Sequence, residues 1–489
     1  YLLEREAFTD SVIQSLEKFV KGIIREKDNY PDQKLLDIAQ DEGLIPTYSF
    51  PHNIVGFSVY RAEKNHIALE EHTDRSMDLA LSEYAPGSNL TIKKKNYISG
   101  AISRIDPIKK IPIQFESLYG EGSGKLRPIK VCPNPDCRWF GFSEECSCPL
   151  CGSDTDEHQM LTPHGFSMLV SNKRQKDVES SAVKTYASSP FYSTMPSSKK
   201  MTQFSDNMRF EKRADQKLIV MNAGNQKGGF TICKRCGAAV NGDESLFNFM
   251  RVGSPFPGKR CGHDEGFMHV YLGSDFITDL VVYEIRLGGE ESPITDEMKW
   301  IWIAAQSLTQ AFCLVAGRIL DVESSDLEGG CRLITRDGDN VVEIYLYDNL
   351  SSGAGYSADL AGKTEELVLE TRKFLQGCDC HDSCFKCLRN YGNRRIHELM
   401  DRHAALDLLN WATDSKLPDP LSEEEQNIIL KPLRSLPGID CERAYVYPSI
   451  WNESKVVANG KIPISKFEIE RQPSDACNRL NSCRVDNVN

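Results

Sequence analysis

Four thiols crowd into one short run near position 380. In CDCHDSCFKC, Cys378, Cys380, Cys384 and Cys387 form a C-x-C-x3-C-x2-C array. Tetrahedral zinc takes four thiolates at about 2.3 Å, and an x2 spacing lets a tight turn aim two sulfurs at one point. The chemistry implied is closed metal ligation. A disulfide cluster is the competing reading, and it is disfavoured because cysteines this close along the chain are badly placed to bridge one another.

Two further clusters repeat the pattern. In CPNPDCRWFGFSEECSCPLCG, Cys132 and Cys137 make one knuckle and Cys148 and Cys151 the other, which reads as a zinc ribbon; Cys146 is a spare or alternative ligand. In ICKRCG, Cys233 and Cys236 are followed by Cys261 in KRCGHDEGFMH. A fourth ligand must come from elsewhere, and His263 is the choice, with His269 behind it, because a neutral imidazole binds zinc as a thiolate does. A surface histidine without metal is the alternative there. About three zinc ions per chain are expected, as structural cofactors.

The elements that must carry these knots are mixed. At 489 residues the chain is long enough for two to four domains. Its seventeen cysteines concentrate in the knots, which suits a reduced cytoplasmic protein with structural metal better than a secreted disulfide scaffold. Cys313, Cys331, Cys441, Cys477 and Cys483 fall outside and read as ordinary or free thiols. A formal charge of −12 argues against a uniformly basic nucleic-acid coat, so any such contact must be local. The chain opens on Tyr1 inside a helical pattern, which predicts that the natural amino terminus lies upstream. WIWIAAQSLTQAFCLVAG, from Trp300 to Gly317, contains Gln306, Ser307, Thr309 and Gln310 and reads as a buried core helix, not a membrane span.

The expected fold class is α+β and multidomain: a β-rich unit with two zinc-ribbon-like knots, then an α/β domain with a four-cysteine zinc site. Residues 1–60 hold an amphipathic helix (2–25) and connector, with a strand at Ile54–Tyr60; 61–155 form the β-rich unit with the first knot. Residues 156–225 read as a basic linker or excursion, since 171–217 hold ten Lys or Arg against five Asp or Glu, interleaved with aromatics and serines. That pattern fits either phosphate contact with base stacking or a solvated linker. The second knot takes 226–275. Residues 276–412 carry strands at Thr278–Leu287 and Val341–Asp348 and helices at 300–320, 357–376 and 397–411; the tail 413–489 offers one helix and short strand-like pieces.

The order strand, YDNLSSGAGYS, helix, CDCHDSCFKCLRNYGN resembles the MrfA-like zinc-binding domain, MZB. That domain is found in superfamily 2 helicases, in Druantia- and DISARM-type phage-defence proteins and MrfA-type repair helicases. GLIPTYSFP, EYAPGS with YISG, and LGSDFITD are similar to segments upstream of it, so the resemblance spans roughly residues 40–412. It implies zinc on Cys378, Cys380, Cys384 and Cys387 and a structural Asp348-Asn349 loop with Gly353 and Gly355. Ser351-Ser352-Gly353 stands where many relatives have Pro-Gly-Gly.

The motor of such a helicase is not legible here. A P-loop needs G-x-x-x-x-G-K-[ST] to cradle phosphate, and before Gly362-Lys363-Thr364 the first glycine is replaced by Ser357; GSGKL ends in Leu126. Four cysteines around one ion leave no open position for catalysis, and no H-x-E precedes CPLC as a deaminase requires. Asp275 with Asp279, or Glu343 with Asp348, are loose nuclease candidates that read better as structural acids. Two functions follow. The first is a non-catalytic accessory region of an ATP-dependent DNA helicase or translocase in bacterial antiphage defence or repair, with motor domains in cis or a helicase subunit in trans, and DNA guided by Lys93, Lys94, Lys95, Lys199, Lys200, Lys212, Arg213, Arg389, Arg394 and Arg395. The second is a protein–protein assembly module without DNA contact. Neither involves a membrane or a small-molecule substrate.

Overall fold

A computed structural model describes residues 54–482, apart from 64–66, 103–112, 114, 121–122, 169–183, 195–200, 244, 246–252, 257–260, 264–265, 290, 324–325, 337, 350–354, 392 and 437–438. The expected 2–25 helix, the 43–51 phrase, Lys199, Lys200 and Ser351-Ser352-Gly353 lie outside the described residues. The chain divides into two compact units, 1–54 and 55–489, and the elements below build the second.

Alternation sets the first sheet. In β1 (Ile54–Ala62) Val55, Phe57 and Val59 turn inward, as period-two patterning requires. β2 (Ile67–Ser76) lies on one side of it, followed by helix α1 (Met77–Glu83), β3 (Asn89–Ile92), β4 (Lys95–Ala101) and the short α2 (Phe115–Tyr119). Next come β5 (Leu126–Val131), β6 (Phe140–Gly141), β7 (Asp156–Leu161) and β8 (Phe166–Met168). The first sheet runs β2-β1-β8-β4-β3, with Tyr84 packed between Phe57 and Phe166 at ring distances of 5.5 and 6.0 Å.

The second sheet is organised by one strand. After β9 (Phe191–Tyr192), β10 (Thr202–Gln203), β11 (Met208–Asn222), β12 (Phe230–Cys233) and β13 (Ala239–Asn241) comes β14 (Phe267–Gly288), 22 residues long. Its start pairs with β12, Tyr271 and Leu272 pair in parallel with β7, and Leu272–Ile285 pair with β11. Its far end pairs with β16 (Asp339–Asp348), itself paired with β15 (Leu327–Arg336). The expected strand at Thr278–Leu287 is therefore the second half of a longer one.

This corrects two expectations. The 156–225 stretch is not a linker: among its described residues, β11 pairs along thirteen positions of β14, and Leu218, Ile219 and Val220 are buried. Three of its cations are paired across or along the sheet: Arg209 meets Glu284 at 2.5 Å, Arg213 meets Glu211 at 2.7 Å and Lys217 meets Asp275 at 3.4 Å. The 275/276 boundary also falls inside β14, so the second knot and the later α/β part share one sheet.

Helix α3 (Met298–Leu320) is buried on nearly every side, which explains its continuous apolar run. It packs on β14, β15 and β16 with α4 (Tyr356–Gly362), α5 (Thr364–Gln376) and α6 (Arg402–Asp414) around it. The helix expected over 357–376 is broken at Lys363. In the tail, Ser422 and Glu425 form a capping box on α7 (Glu423–Arg434). β17 (Ala444–Tyr447) and β18 (Ile462–Ser465) pair in parallel, and α8 (Lys466–Arg471) and α9 (Pro473–Ser482) close a small core of their own.

One ion pair is fully buried between the last two strands of the large sheet, β15 and β16. Arg332 on β15 and Glu343 on β16 are both fully buried and bonded to each other, and Arg332 also donates to the carbonyls of Tyr192 and, at 2.7 Å, Thr194. Burial pushes the Glu343 carboxyl up to about 7, against the pull of Arg332. Removing one partner strands the other without water, at a cost of about 3–5 kcal/mol, whereas replacing both by apolar residues is often close to neutral. Arg332→Met is thus expected to lower unfolding free energy by about 3–5 kcal/mol in denaturant titration, and Arg332→Met with Glu343→Met to recover most of that loss.

Candidate metal centres

Each knot gathers four donors whose ligand atoms lie within 4.8 Å of one another: Cys132, Cys137, Cys148 and Cys151; Cys233, Cys236, Cys261 and His263; Cys378, Cys380, Cys384 and Cys387. The sulfur separations decide what these can be. They are 3.5 Å for Cys132–Cys151 and Cys137–Cys148, 3.8 Å for Cys233–Cys261, and 3.6 Å for Cys378–Cys384 and Cys380–Cys387. A disulfide needs about 2.05 Å, while sulfurs 2.3 Å from a central zinc stand about 3.8 Å apart along a tetrahedron edge. Cys236 Sγ lies 3.9 Å from His263 Nδ1, and His269 instead bonds the Thr231 hydroxyl at 3.1 Å. Cys146 stays exposed, 3.8 Å from Lys130 Nζ and outside the first tetrad.

Local backbone builds the knuckles. Gly152 and Gly237 follow the second cysteine of their pairs with φ of +76° and +74°, a left-handed turn that a side chain disfavours. Their amides reach back to the carbonyls of Cys148 and Cys233, both at 2.9 Å. In the third knot the amides of Lys386 and Cys384 point at Cys384 and Cys387 sulfurs, at 3.3 and 3.1 Å. One thiol in each tetrad is held acidic. The Lys386 amide leads in bringing Cys384 to about 7, the Cys236 thiol leads in bringing Cys233 to about 3, and at Cys151 burial is overcome by Ser153, giving about 6. These are donor sets ready for a divalent soft-to-borderline cation, with all four positions filled by protein.

The third knot is fixed to α3 by the polar residues that interrupt that helix. Ser307 accepts the Asp401 amide at 2.8 Å, and Gln310 accepts from Asn393 at 3.0 Å, pinning the chain that leaves the third knot. Arg402, largely buried, donates to the carbonyls of Cys380 and Leu375. Arg471 from the tail reaches Asp382 at 3.0 Å. The first knot leans on the same helix from elsewhere: Trp302 donates to the Asp136 carbonyl, and Arg138 lies 4.5 Å over the Trp302 ring.

Several of the other candidate residues have structural partners. Asp348, fully buried, accepts the amides of Gly355, Tyr356 and Ser357 at 2.7, 3.1 and 2.8 Å, so the amides ahead of Gly362-Lys363-Thr364 are aimed at an internal carboxylate. Burial opposes the charge of Asp275, but Arg127 and Lys217 hold its carboxyl below the ordinary range; Asp279 accepts the Asp215 amide. Lys93 pairs with Glu71 and Lys95 with Glu70, leaving Lys94 exposed at the hairpin tip. Arg213 is bound by Glu211 and Tyr192, which withdraws it from the expected DNA set; Lys212 is exposed. Arg389 donates to Ser383, Arg394 is exposed, and the side chain of Arg395 lies outside the described residues.

Comparison places the third centre in a known class. The family model for the MrfA Zn-binding domain, MZB, matches residues 308–388, so this chain contains an MrfA-like zinc-binding region that includes the third tetrad. Druantia protein DruE of Escherichia coli (strain UMEA 4076-1) is 28% identical over 458 residues, covering 84% of this chain and 24% of its own length. The chain thus spans about a quarter of that relative. Among solved structures, the DUF1998 helicase MrfA bound to DNA matches with a TM-score of 0.38 and 10% identity over 74% of this chain and 34% of its own. MrfA bound to DNA and AMPPNP matches with a TM-score of 0.31 and 9% identity, over 75% and 32%.

Elemental analysis of the purified chain should find close to three zinc ions. Cys384→Ser should remove one of them and lower the melting temperature, because metal-binding energy is folding energy in such knots. A variant that keeps both its zinc and its melting temperature would contradict the tetrad.

Proposed function

We propose that the chain is a non-catalytic, zinc-stapled accessory region of an ATP-dependent DNA helicase or translocase. It works in the bacterial cytoplasm in antiphage defence, supporting motor domains in the same polypeptide or a helicase subunit and guiding DNA. The observation that carries this reading is the similarity to DruE, which runs through most of this chain and takes up a quarter of that protein. The geometry of the sites supports the non-catalytic part. Four protein donors at each centre leave a metal no position for water or substrate. Lys363 lies between two helices, and the amides nearby are engaged by Asp348.

DNA guidance rests on cations that remain available once internal ion pairs are set aside. Lys386 and Arg394 are exposed beside the third tetrad, and Lys94 and Lys212 are exposed elsewhere. Each phosphate neutralised releases counterions, so affinity falls with salt, with a slope of about 0.9 per contact on duplex DNA. Binding of the 489-residue chain to a duplex, followed between about 50 and 200 mM salt, is expected to weaken steeply. Lys386→Ser with Arg394→Ser should flatten the slope by about two and act alike on all sequences, with zinc content intact. No binding by the parent at any salt would favour the protein-assembly reading instead.

A further inference from the structure

The third tetrad displays its aromatic residues to solvent. Phe385, between two ligands, is 73% exposed, and Tyr391, four residues past the last ligand, is 81% exposed. Two large rings so bare on a buried scaffold mark a contact surface. They are linked along the surface: Phe385 meets the His397 ring edge-on at 5.4 Å, and His397 Nε2 lies 2.9 Å from the Asn390 carbonyl, next to Tyr391. Cations flank both. Arg394 lies 4.8 Å over the Tyr391 ring and bonds its hydroxyl at 3.0 Å. Phe385 itself lines an open groove with Arg318, Phe374, Lys386 and the ligands Cys378, Cys380 and Cys384, and Arg318 lies 4.8 Å over the Phe374 ring.

We infer that this strip, from Arg318 through Phe385 to Tyr391 and Arg394, is a stacking platform for single-stranded DNA. The inference rests on the DNA-guiding reading above and adds the strand state and the side chains that grip it. Bases have faces of π electrons and phosphates have charge, so a single strand needs rings alternating with cations. A duplex keeps its base faces stacked internally and can use only the cations. Zinc on four thiolates carries a formal charge of about −2, and Asp379 also lines the groove. Arg318, Lys386 and Arg394 offset these charges, leaving the rings to supply most of the grip. Rings beside arginines also suit a protein interface, and a parent chain that binds neither nucleic acid is the outcome such a partner predicts.

The test uses the full 489-residue chain, a labelled oligothymidylate and a duplex of equal length. Phe385→Ala and Tyr391→Ala are each expected to weaken oligothymidylate binding about fivefold or more, with zinc content and melting temperature unchanged, and Phe385→Ala to leave duplex affinity unchanged. Phe385→Leu should behave like Phe385→Ala, because the loss is of a π face and not of apolar area. If the parent binds DNA but the alanine variants bind oligothymidylate as it does, or Phe385→Ala loses single strand and duplex equally, or leucine restores binding, the platform is overturned while DNA guidance stands. A parent that binds neither nucleic acid overturns both.

Discussion

The pairing of β14 is the constraint on which the rest depends. Its first residue, Phe267, lies opposite Cys233, so the second tetrad hangs from its start. Tyr271 and Leu272 pair with β7, whose hairpin partner β5 ends at Val131, one residue before the first ligand of the first tetrad. The far end pairs with β16, whose last residue, Asp348, caps α4 and starts the helical path to the third. A one-residue slip in a strand turns every side chain to the opposite face. Along β14 that would exchange Leu280 and Val282 with Val281 and Tyr283 between two different cores, and only the observed register fits each set to its own neighbours.

Burying so much sheet brings charged groups inside, and the acids among them are matched to partners. Glu284 takes Arg209 and Arg336, Glu343 takes Arg332, and Asp348 takes three amides. None of these acids is then available for metal-ion nuclease chemistry, which needs carboxylates converging on solvent. The same logic governs α3. Ser307 and Gln310 would be a liability in lipid, but each holds a segment of the chain around the third knot.

What the sequence disclosed follows from how local the signals are. Cysteine spacing is local, so the residues of all three donor sets could be picked out, including His263, and so could the apolar α3 and the tail helix α7. The β11 segment was hidden because MRFEKRADQKLIVMN looks like a charged linker when its partners are unknown. Arg209 is neutralised by Glu284 from a strand 75 residues away, a non-local pairing that composition cannot convey. The first half of β14 was obscured by Gly273, Ser274 and Asp275, of which Gly273 is required because a Cβ there would meet Met160 and, at 2.9 Å, the Val220 carbonyl. Phe385 and Lys386 could have been suspected: side chains between ligands two residues apart cannot enter the metal site and must point away from it.

That geometry also explains why a knot, and not a helix, carries the exposed rings. A small loop without metal must bury its aromatics to hold a shape, since it has little other apolar surface to use. Where four donors close on an ion, metal binding supplies the folding energy, and the loop's own rings are released from that task. Leu388 and Leu375 still anchor the third knot to the core, fully buried, while Phe385 and Tyr391 face outward. Zinc at this centre therefore does more than tie ends together: it allows aromatic side chains to stay exposed to solvent without the loop collapsing around them.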